Sequence, residues 1–313
     1  MFKDNIRYIL PENGNLYKAN LHTHTTVSDG KFTPEQIKEM YKARGYHAVA
    51  YTDHRECVPH PELTDGGFVA LTGIEHAFGI GRDTSVHVCA ISRNESTAFK
   101  LPDEPDDSVE KINGGISYLN SLDLITTLNH PRWSGISYAD IAKIEGVSNI
   151  ELVNGFEMIQ DGYADSSAIY ELELRRGRRA YPIAADDSHR MGKGGGAGHE
   201  YFRGFSVIIA EELTYASLIK ALDAGHFYAS TGPLFKNLYL DGDILHVECS
   251  AVSGVYVHGD KYKPRAAIVE SEDCIERADI DVGALLRESS YIYINILDSH
   301  GKCAYAPPLW LDK

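Results

Sequence analysis

The stretch ANLHTHTTVSDG, residues 19–30, places two histidines one residue apart at the end of a short apolar run, with an aspartate soon after. Alternate residues of an extended strand point to opposite faces of its sheet. His22 and His24 can therefore approach one ion only where a strand ends and its backbone bends. The stretch predicts the end of a buried strand that carries a metal site, and a polar turn is the alternative.

Other short apolar runs end in the same kind of residue. They lead into Asp53-His54, Glu75, His130 and Asp187-Ser188-His189. Helical stretches separate these runs, and one of them begins with a capping box formed by Thr33 and Gln36. Strands that alternate with helices are typical of a parallel sheet, whose carboxyl ends form the active-site mouth. The pattern therefore predicts an α/β domain over residues 1–232 with the candidate residues gathered at one mouth.

The pattern changes after residue 232. Short alternating runs separated by Asp-Gly and glycine-rich turns continue to residue 313, which predicts a small β-rich domain over residues 233–313. We expect this domain to cap the first one or to form the interface of a homo-oligomer. Binding of a partner or a carbohydrate is the alternative.

Composition restricts the class of partner. Among 313 residues, 30 are basic and 45 acidic, which gives a net charge of −15 and disfavours long nucleic acids and anionic membranes. A small anionic substrate must then be held locally by metals or by a few placed basic residues. The chain shows neither a signal peptide at its start nor a membrane-spanning apolar run, so we expect a cytoplasmic protein. Five cysteines without a C-x-x-C pair predict free thiols.

Nine side chains fall where a metal cluster would need them. They are His22, His24, Asp29, His54, Glu75, His87, His130, Asp187 and His189. Imidazole and carboxylate together suit zinc, manganese or iron, whereas sets of oxygen ligands alone suit magnesium or calcium. A lone histidine is more often an ordinary hydrogen-bonded group, but packing does not require such residues at five separate strand ends. The constellation predicts a centre of two or three divalent transition metals.

Several motifs together resemble a known family. NLHTHTTVSDG, YTDH, GIE, HVCAI, NHPRWS and DDSH resemble, in order and context, the motifs of the PHP (polymerase and histidinol phosphatase) metallohydrolases over residues 18–232. The run ALDAGHFYASTGP and the β-rich tail resemble the CehA/McbA-like branch of that superfamily. The resemblance implies a distorted (β/α)7 barrel, followed by a sandwich-like β domain, with up to three metals at the mouth of the barrel.

The resemblance also implies how the ligands divide. The first metal would be held by His22, His24, Glu75 and Asp187. Glu75 would bridge to a second metal, held by His87 and His130. The third would be held by Asp29, His54 and His189. Because His87 comes early in its strand, a core histidine is the alternative for it, and an aspartate at position 29 would make the third site labile.

Such a centre predicts a hydrolase. A water that bridges two metals loses a proton near neutral pH and becomes a nucleophile. The favoured function is a phosphoesterase acting on a small phosphomonoester, a nucleotide or a short oligonucleotide. Arg132 and Arg190 would clamp the phosphate, with a solvated loop arginine as the alternative for each, and His189 or a metal-bound water would protonate the leaving group. A carbamate or amide-ester hydrolase, or a non-catalytic metal-stabilised binding module, are the alternatives.

Further residues near the predicted mouth can each be interpreted in two ways. Asp53 and Asp186 either orient a ligand imidazole or shape a turn. Trp133 either forms the wall for an aromatic leaving group or packs beneath its loop. Residues 191–200 predict a flexible loop beside the mouth, in which Lys193 is a weaker candidate for phosphate binding.

Overall fold

A computed structural model describes residues 6–79, 84–162, 165–190, 199–261, 263–269 and 273–311. Within these ranges the helices are α1 (Pro34–Lys42), α2 (Val109–Ser121), α3 (Tyr138–Ile141), α4 (Gly155–Gln160), α5 (Ser167–Arg175), α6 (Tyr215–Ala224) and α7 (Gly283–Glu288), with a 3-10 turn at Pro61–Leu63. None of these helices is long and apolar enough to cross a lipid bilayer. Thr33 and Gln36 form the predicted capping box at the start of α1.

The first ten strands include those that carry the candidate site residues. These strands are β1 (Ile6–Tyr8), β2 (Asn15–Asn20), β3 (Ala48–Tyr51), β4 (Glu56–Cys57), β5 (Val69–Phe78), β6 (Val86–Ser92), β7 (Phe99–Lys100), β8 (Leu124–Leu128), β9 (Asn149–Asn154) and β10 (Tyr181–Ala185). The later strands are β11 (Phe205–Ala210), β12 (Phe227–Ser230), β13 (Phe235–Asp241), β14 (Ile244–Val252), β15 (Gly254–Gly259), β16 (Arg265–Ile268), β17 (Ile275–Asp281), β18 (Tyr291–Leu297), β19 (Cys303–Tyr305) and β20 (Leu309–Trp310).

The prediction of an α/β fold with a β-rich C-terminal part is confirmed, but the (β/α)7 barrel is not. One large sheet runs in the order β10-β9-β8-β6-β5-β3-β2-β11-β12-β19-β18-β15-β16, and its described strands form no closed barrel. Strand β6 is antiparallel to both β5 and β8, and β11 is antiparallel to β2. A parallel return needs a crossover of about a dozen residues. The connection from Phe78 to Val86 is too short for that, so β5 and β6 pair antiparallel.

The β-rich part is joined to the rest by pairing at both of its ends. Strand β1 pairs with β13 in a smaller sheet of order β1-β13-β14-β17, and β19 pairs with β12, so the large sheet continues into the tail. One apolar core extends from Ile37 and Tyr41 of α1 to Val247 of β14 and Val255 of β15. The division into domains at residue 232 stays a prediction.

All five cysteines are free thiols, as their spacing predicts. Cys57, Cys89 and Cys249 are buried, Cys303 is partly buried and Cys274 is exposed. Burial raises the pKa of the Cys57 thiol to about 12. The buried thiols are therefore packing groups rather than nucleophiles.

Candidate metal centre

The structure brings the nine predicted side chains together at one edge of the sheet, although two of them do not follow a strand. Histidines and aspartates follow β2, β3, β8 and β10, as predicted. Glu75 and His87 instead lie inside β5 and β6. At Glu75 strand β5 has already left its ladder with β3 and lies opposite His54 and Cys89. The Glu75 carboxylate is therefore positioned at the cluster by a change in the pairing partner of β5, and not by the end of a strand.

Four of these residues form what we call the first group: His22, His24, Glu75 and Asp187. The Nε2 atoms of His22 and His24 lie 3.2 Å apart. Each is 3.1–3.2 Å from a Glu75 carboxylate oxygen and from Oδ1 of Asp187. Backbone bonds hold the group in place, since the Asp187 N–H donates to the His22 carbonyl oxygen at 3.0 Å and the His24 N–H to that of Ser188, also at 3.0 Å.

The donor atoms of the first group fit a metal ion. Atoms bound to a tetrahedral ion at 2.0–2.2 Å would be about 3.3–3.6 Å apart, and the separations of 3.1–3.2 Å found here lie just below that range. All four residues are buried, yet Oδ1 of Asp187 has no hydrogen-bond partner in the described part of the chain. A buried carboxylate oxygen without a hydrogen bond is costly unless a cation meets it. The residues present therefore fit a divalent metal.

The second group consists of Glu75, His87 and His130. Oε1 of Glu75 lies 3.1 Å from Nδ1 of His87 and 3.7 Å from Nε2 of His130, so this carboxylate belongs to both groups. The other ring nitrogen of His87 lies 2.9 Å from the Ser85 hydroxyl, which fixes the ring. Although His87 is early in its strand, the structure places it at the cluster.

The third group consists of Asp29, His54 and His189, with His24 close enough to join it. The Asp29 carboxylate lies 3.8 Å from Nε2 of His54 and 3.6 Å from Nε2 of His189. The Asp29 side chain is 58% exposed, whereas that of Glu75 is 1% exposed. The third group is thus more open than the first.

The ionised carboxylates of the cluster attract cations. Burial opposes ionisation of Glu75, but His22, His87 and His54 hold the pKa of that carboxyl well below its usual range. For His24, burial is outweighed by the neighbouring carboxylates of Asp187 and Glu75, which raise its pKa to about 10. Burial lowers the pKa of His54 to about 4. The buried carboxylates therefore stay ionised and attract positive charge.

Sequence reasoning missed the residues that support the cluster. Oε1 of Glu151, in β9, lies 3.2 Å from Nδ1 of His22, and its other oxygen accepts the His130 backbone N–H at 2.9 Å. The Asn129 amide donates to Glu75 at 2.6 Å, and that of Asn154 to Asp187 at 3.1 Å. Such contacts orient ligands and fix the imidazole tautomer. The sequence contains one indication of Glu151, because it is a charged residue inside the buried run NIELVN.

Asp53 and Asp186 accept hydrogen bonds from backbone N–H groups rather than from the ligand imidazoles. The Asp53 carboxylate accepts the N–H and hydroxyl groups of Thr25 and Ser28, and thereby shapes the loop that carries Asp29. Asp186 accepts three backbone N–H groups from residues 202–204, and burial raises its pKa to about 6. Of the two interpretations, the structure supports the shaping of turns for both.

The two arginines predicted to clamp phosphate lie beside the cluster rather than in it. The Arg132 guanidinium donates to Glu157 at 2.6 Å and lies 3.6 Å from Asp161. Arg190 is exposed, and its backbone N–H donates to Glu200. Their role in phosphate binding stays a prediction, and Lys193, with residues 191–198, lies outside the described residues.

Two adjoining cavities open onto the cluster. The inner one, about 180 Å³, is walled by Trp133 and Phe156, and the outer one, about 670 Å³, reaches His54 and His87. The Trp133 ring stands edge-on to the rings of His87 and His130, so it lines the cavity instead of packing beneath its loop. Arg55 is the one basic residue in the described lining of either cavity.

The backbone holds Arg55 in an unusual conformation. Its φ is 61°, in the left-handed region that residues other than glycine rarely adopt. The Arg55 N–H donates to the Glu75 carbonyl oxygen, and the Leu101 N–H donates to that of Arg55, both at 2.8 Å. The Arg55 guanidinium is ion-paired with Asp103. Sequence reasoning missed this residue, although it directly follows His54.

Comparisons with known proteins support the fold. No protein-family model and no curated protein sequence matches the chain. A two-domain protein from Bacteroides vulgatus, containing a predicted PHP-like metal-dependent phosphoesterase, matches with a TM-score of 0.50 and 14% identity over 99% of both chains.

Two other solved structures cover only part of this chain. An amidohydrolase from Chromobacterium violaceum, with bound sulfate and no metal, has a TM-score of 0.41 and 15% identity over 67% of this chain and 96% of its own. A provisionally named metal-dependent phosphoesterase from Bifidobacterium adolescentis has a TM-score of 0.40 and 15% identity over 68% and 97%. The full-length match concerns the fold alone: this chain shares the fold of that two-domain protein.

Proposed function

We propose that the protein is a metal-dependent hydrolase, and specifically a phosphoesterase that acts on a small phosphomonoester, a nucleotide or a short oligonucleotide. Its cofactors would be two or three divalent transition metals, zinc, manganese or iron, held by the three groups. The observation that carries the proposal is the spacing of 3.1–3.2 Å among donor atoms that three distant segments of the chain contribute to the first group. Hydrogen bonding alone does not require that convergence.

The chemistry follows from a carboxylate shared between two groups. When bound, two divalent metals lower the pKa of a shared water to near neutrality and neutralise charge that develops on a phosphoryl group. Glu75 contacts ligands of both groups and would keep the two ions close together. Glu151 would keep the His22 ring oriented. His189, at the edge of the inner cavity, would protonate the leaving group if the third group held no ion, and a metal-bound water would do so otherwise.

Two features favour a small phosphate ester as substrate. The solved structure that matches over the full length contains a predicted PHP-like metal-dependent phosphoesterase. In addition, Arg55 supplies a guanidinium in the outer cavity of a chain whose net charge is −15. A cavity of about 670 Å³ holds a small molecule or a few nucleotides rather than a long duplex. A cytoplasmic location and a homo-oligomeric state stay predictions.

A carbamate or amide-ester hydrolase is the second candidate. The inner cavity is walled by the aromatic rings of Trp133 and Phe156, and no lysine or arginine is among its described lining residues. An uncharged ester with an aromatic leaving group would fit that lining. The same metal centre would supply the nucleophile, so the two candidates differ in substrate and not in cofactor.

A substrate panel separates the candidates. The purified protein, with its metal content measured, is assayed with added Mn²⁺ against phosphomonoesters, phosphodiesters and carbamate esters. We expect phosphomonoester turnover that chelation abolishes, and a loss of at least about 10³-fold in kcat for His24→Ala. The matched control, His300→Ala, replaces an exposed histidine far from the cluster in sequence and should keep full activity.

Arg55 provides the test of substrate class. Arg55→Ala should raise KM for phosphate esters about tenfold and leave carbamate esters unaffected, since only the former offer it a negative charge. Turnover of carbamate esters alone would replace the first candidate with the second. Full activity of His24→Ala would contradict both.

A further inference from the structure

A separate cavity of about 470 Å³ lies between Arg44, just after the end of α1, residues 199–203 and residues 301–305. None of the nine cluster residues lines it. Its described lining contains three basic residues, Arg44, Arg203 and Lys302. Asp165 is the one acidic residue in the same described lining. In a chain with a net charge of −15, a concave surface of this sign is a distinct feature.

A fourth base adds to this positive charge. The Nζ atom of Lys18 lies over the rings of Tyr46 and Phe205, 4.0 and 4.4 Å from their centres. Burial lowers the pKa of Lys18, and repulsion from Lys302 and Arg44 lowers it further against the attraction of Asp186. In the described ranges no carboxylate oxygen lies within 4 Å of the charged nitrogens of Lys18, Arg44 or Lys302. The positive charges outnumber the one carboxylate of the described lining and repel one another, and an anionic ligand would relieve that repulsion.

Part of the lining is held in place before any ligand arrives. The Asp186 carboxylate accepts the backbone N–H groups of Phe202, Arg203 and Gly204 at 2.7, 2.7 and 3.0 Å. The Arg44 guanidinium lies 4.8 Å from the centre of the Phe202 ring. A site that is ordered in advance loses less conformational entropy on binding.

The rest of the lining suits an organic molecule. Met158, Phe202 and Tyr305 give the cavity an apolar wall. His199 also lines it, and Nδ1 of that ring has no hydrogen-bond partner among the described residues. The volume falls in the range of small-molecule sites, about 300–1,000 Å³. We propose that this cavity binds a small organic anion with at least two negative charges, at a site separate from the metal centre.

Calorimetric titration of the metal-loaded, full-length protein with phenylphosphonate tests the proposal. The carbon–phosphorus bond of this probe resists ester hydrolysis, and the probe combines a dianion with an aromatic ring. We expect one bound equivalent beyond any bound at the metal centre. In Arg44→Ala/Lys302→Ala this equivalent should bind at least about tenfold more weakly, because two charge-assisted contacts are lost.

The matched control is Lys220→Ala/Lys236→Ala, which removes the same charge from two exposed lysines that do not line the cavity. It should keep the additional equivalent. Since Arg44 and Lys302 are exposed, both double variants should melt at the wild-type temperature and hydrolyse substrate normally. The proposal is overturned if no additional equivalent binds, or if both double variants bind it equally. The readout is binding, so the outcome is independent of whether the metal centre hydrolyses phosphate esters.

Discussion

The first and third groups use the same kinds of side chain in different surroundings. The first group is buried, and its donor atoms are 3.1–3.2 Å apart. In the third group Asp29 is mostly exposed and lies 3.6–3.8 Å from its neighbours. Elements of the sheet position the first group, whereas Asp29 is carried on a loop. We therefore expect the first group to be the permanent metal site and the third group to be the exchangeable one.

The largest expected effect comes from a matched pair of aspartate variants. Asp187→Asn should lower kcat at least about 10³-fold, because it removes a carboxylate from the buried group. Asp29→Asn should lower it only about tenfold. Asp187 has a φ of 51°, which asparagine tolerates, so the backbone should survive the substitution. Kinetics and metal analysis of both variants provide the measurement, and equal losses would contradict the proposed difference between the groups.

A second pair of variants changes residues that orient the metal ligands of one group but are not ligands themselves. Glu151→Gln should weaken metal binding by the first group about 10–100-fold, because Glu151 orients His22 and holds the His130 backbone. Asp53→Asn loosens the loop of Asp29 and should affect only the third metal. Competition with a chromophoric chelator measures each affinity. If Asp53→Asn weakened all sites alike, the groups would not be independently supported.

Much of this centre could be predicted because local chemistry specifies it. The helix start at Thr33 depends on a local capping box, and the strand-end positions of His22, His54 and His130 follow from apolar runs that stop abruptly. Imidazole and carboxylate types then restrict the choice of metal. These features lie within short windows of sequence, where pattern reasoning is strongest.

The rest depends on pairing between distant segments. The antiparallel course of β6 follows from a connection too short for a crossover. The position of Glu75 follows from the point where β5 stops pairing with β3. The pairing of β1 with β13 joins the start of the described chain to its β-rich part. No local window shows that Glu151 faces His22 or that Arg55 faces the outer cavity, because those contacts exist only after the sheet has assembled.

A buried carboxyl beneath the third group makes the stability of the fold depend on pH. Glu200 is 4% exposed and accepts the backbone N–H groups of His189 and Arg190. Burial raises its pKa to about 7, so the folded state binds this proton more tightly than the unfolded state. Its contribution to stability is complete below the unfolded pKa of about 4.5 and is lost as pH rises through about 7.

Comparison with Glu200→Gln isolates this contribution. Between pH 5 and pH 8 the metal-free wild type should lose about 2 kcal/mol of unfolding free energy relative to the variant. Denaturant unfolding at several pH values measures the difference, in which the other titrating groups cancel. A difference that stays constant, or that changes in favour of the wild type, would show that Glu200 is not held in its neutral form.

The smallest expected effect is in the order of metal loss. During dialysis against increasing chelator, the third group should lose its ion at a chelator concentration about tenfold below that which empties the first, because one of its ligands is exposed and its donor atoms are farther apart. Metal analysis should therefore show a plateau before the last ions leave. In Asp29→Asn that first step should be absent, which assigns it to the third group. Simultaneous loss of all ions in the wild type would instead mean that the shared residues His24 and Glu75 couple the groups into one cooperative site.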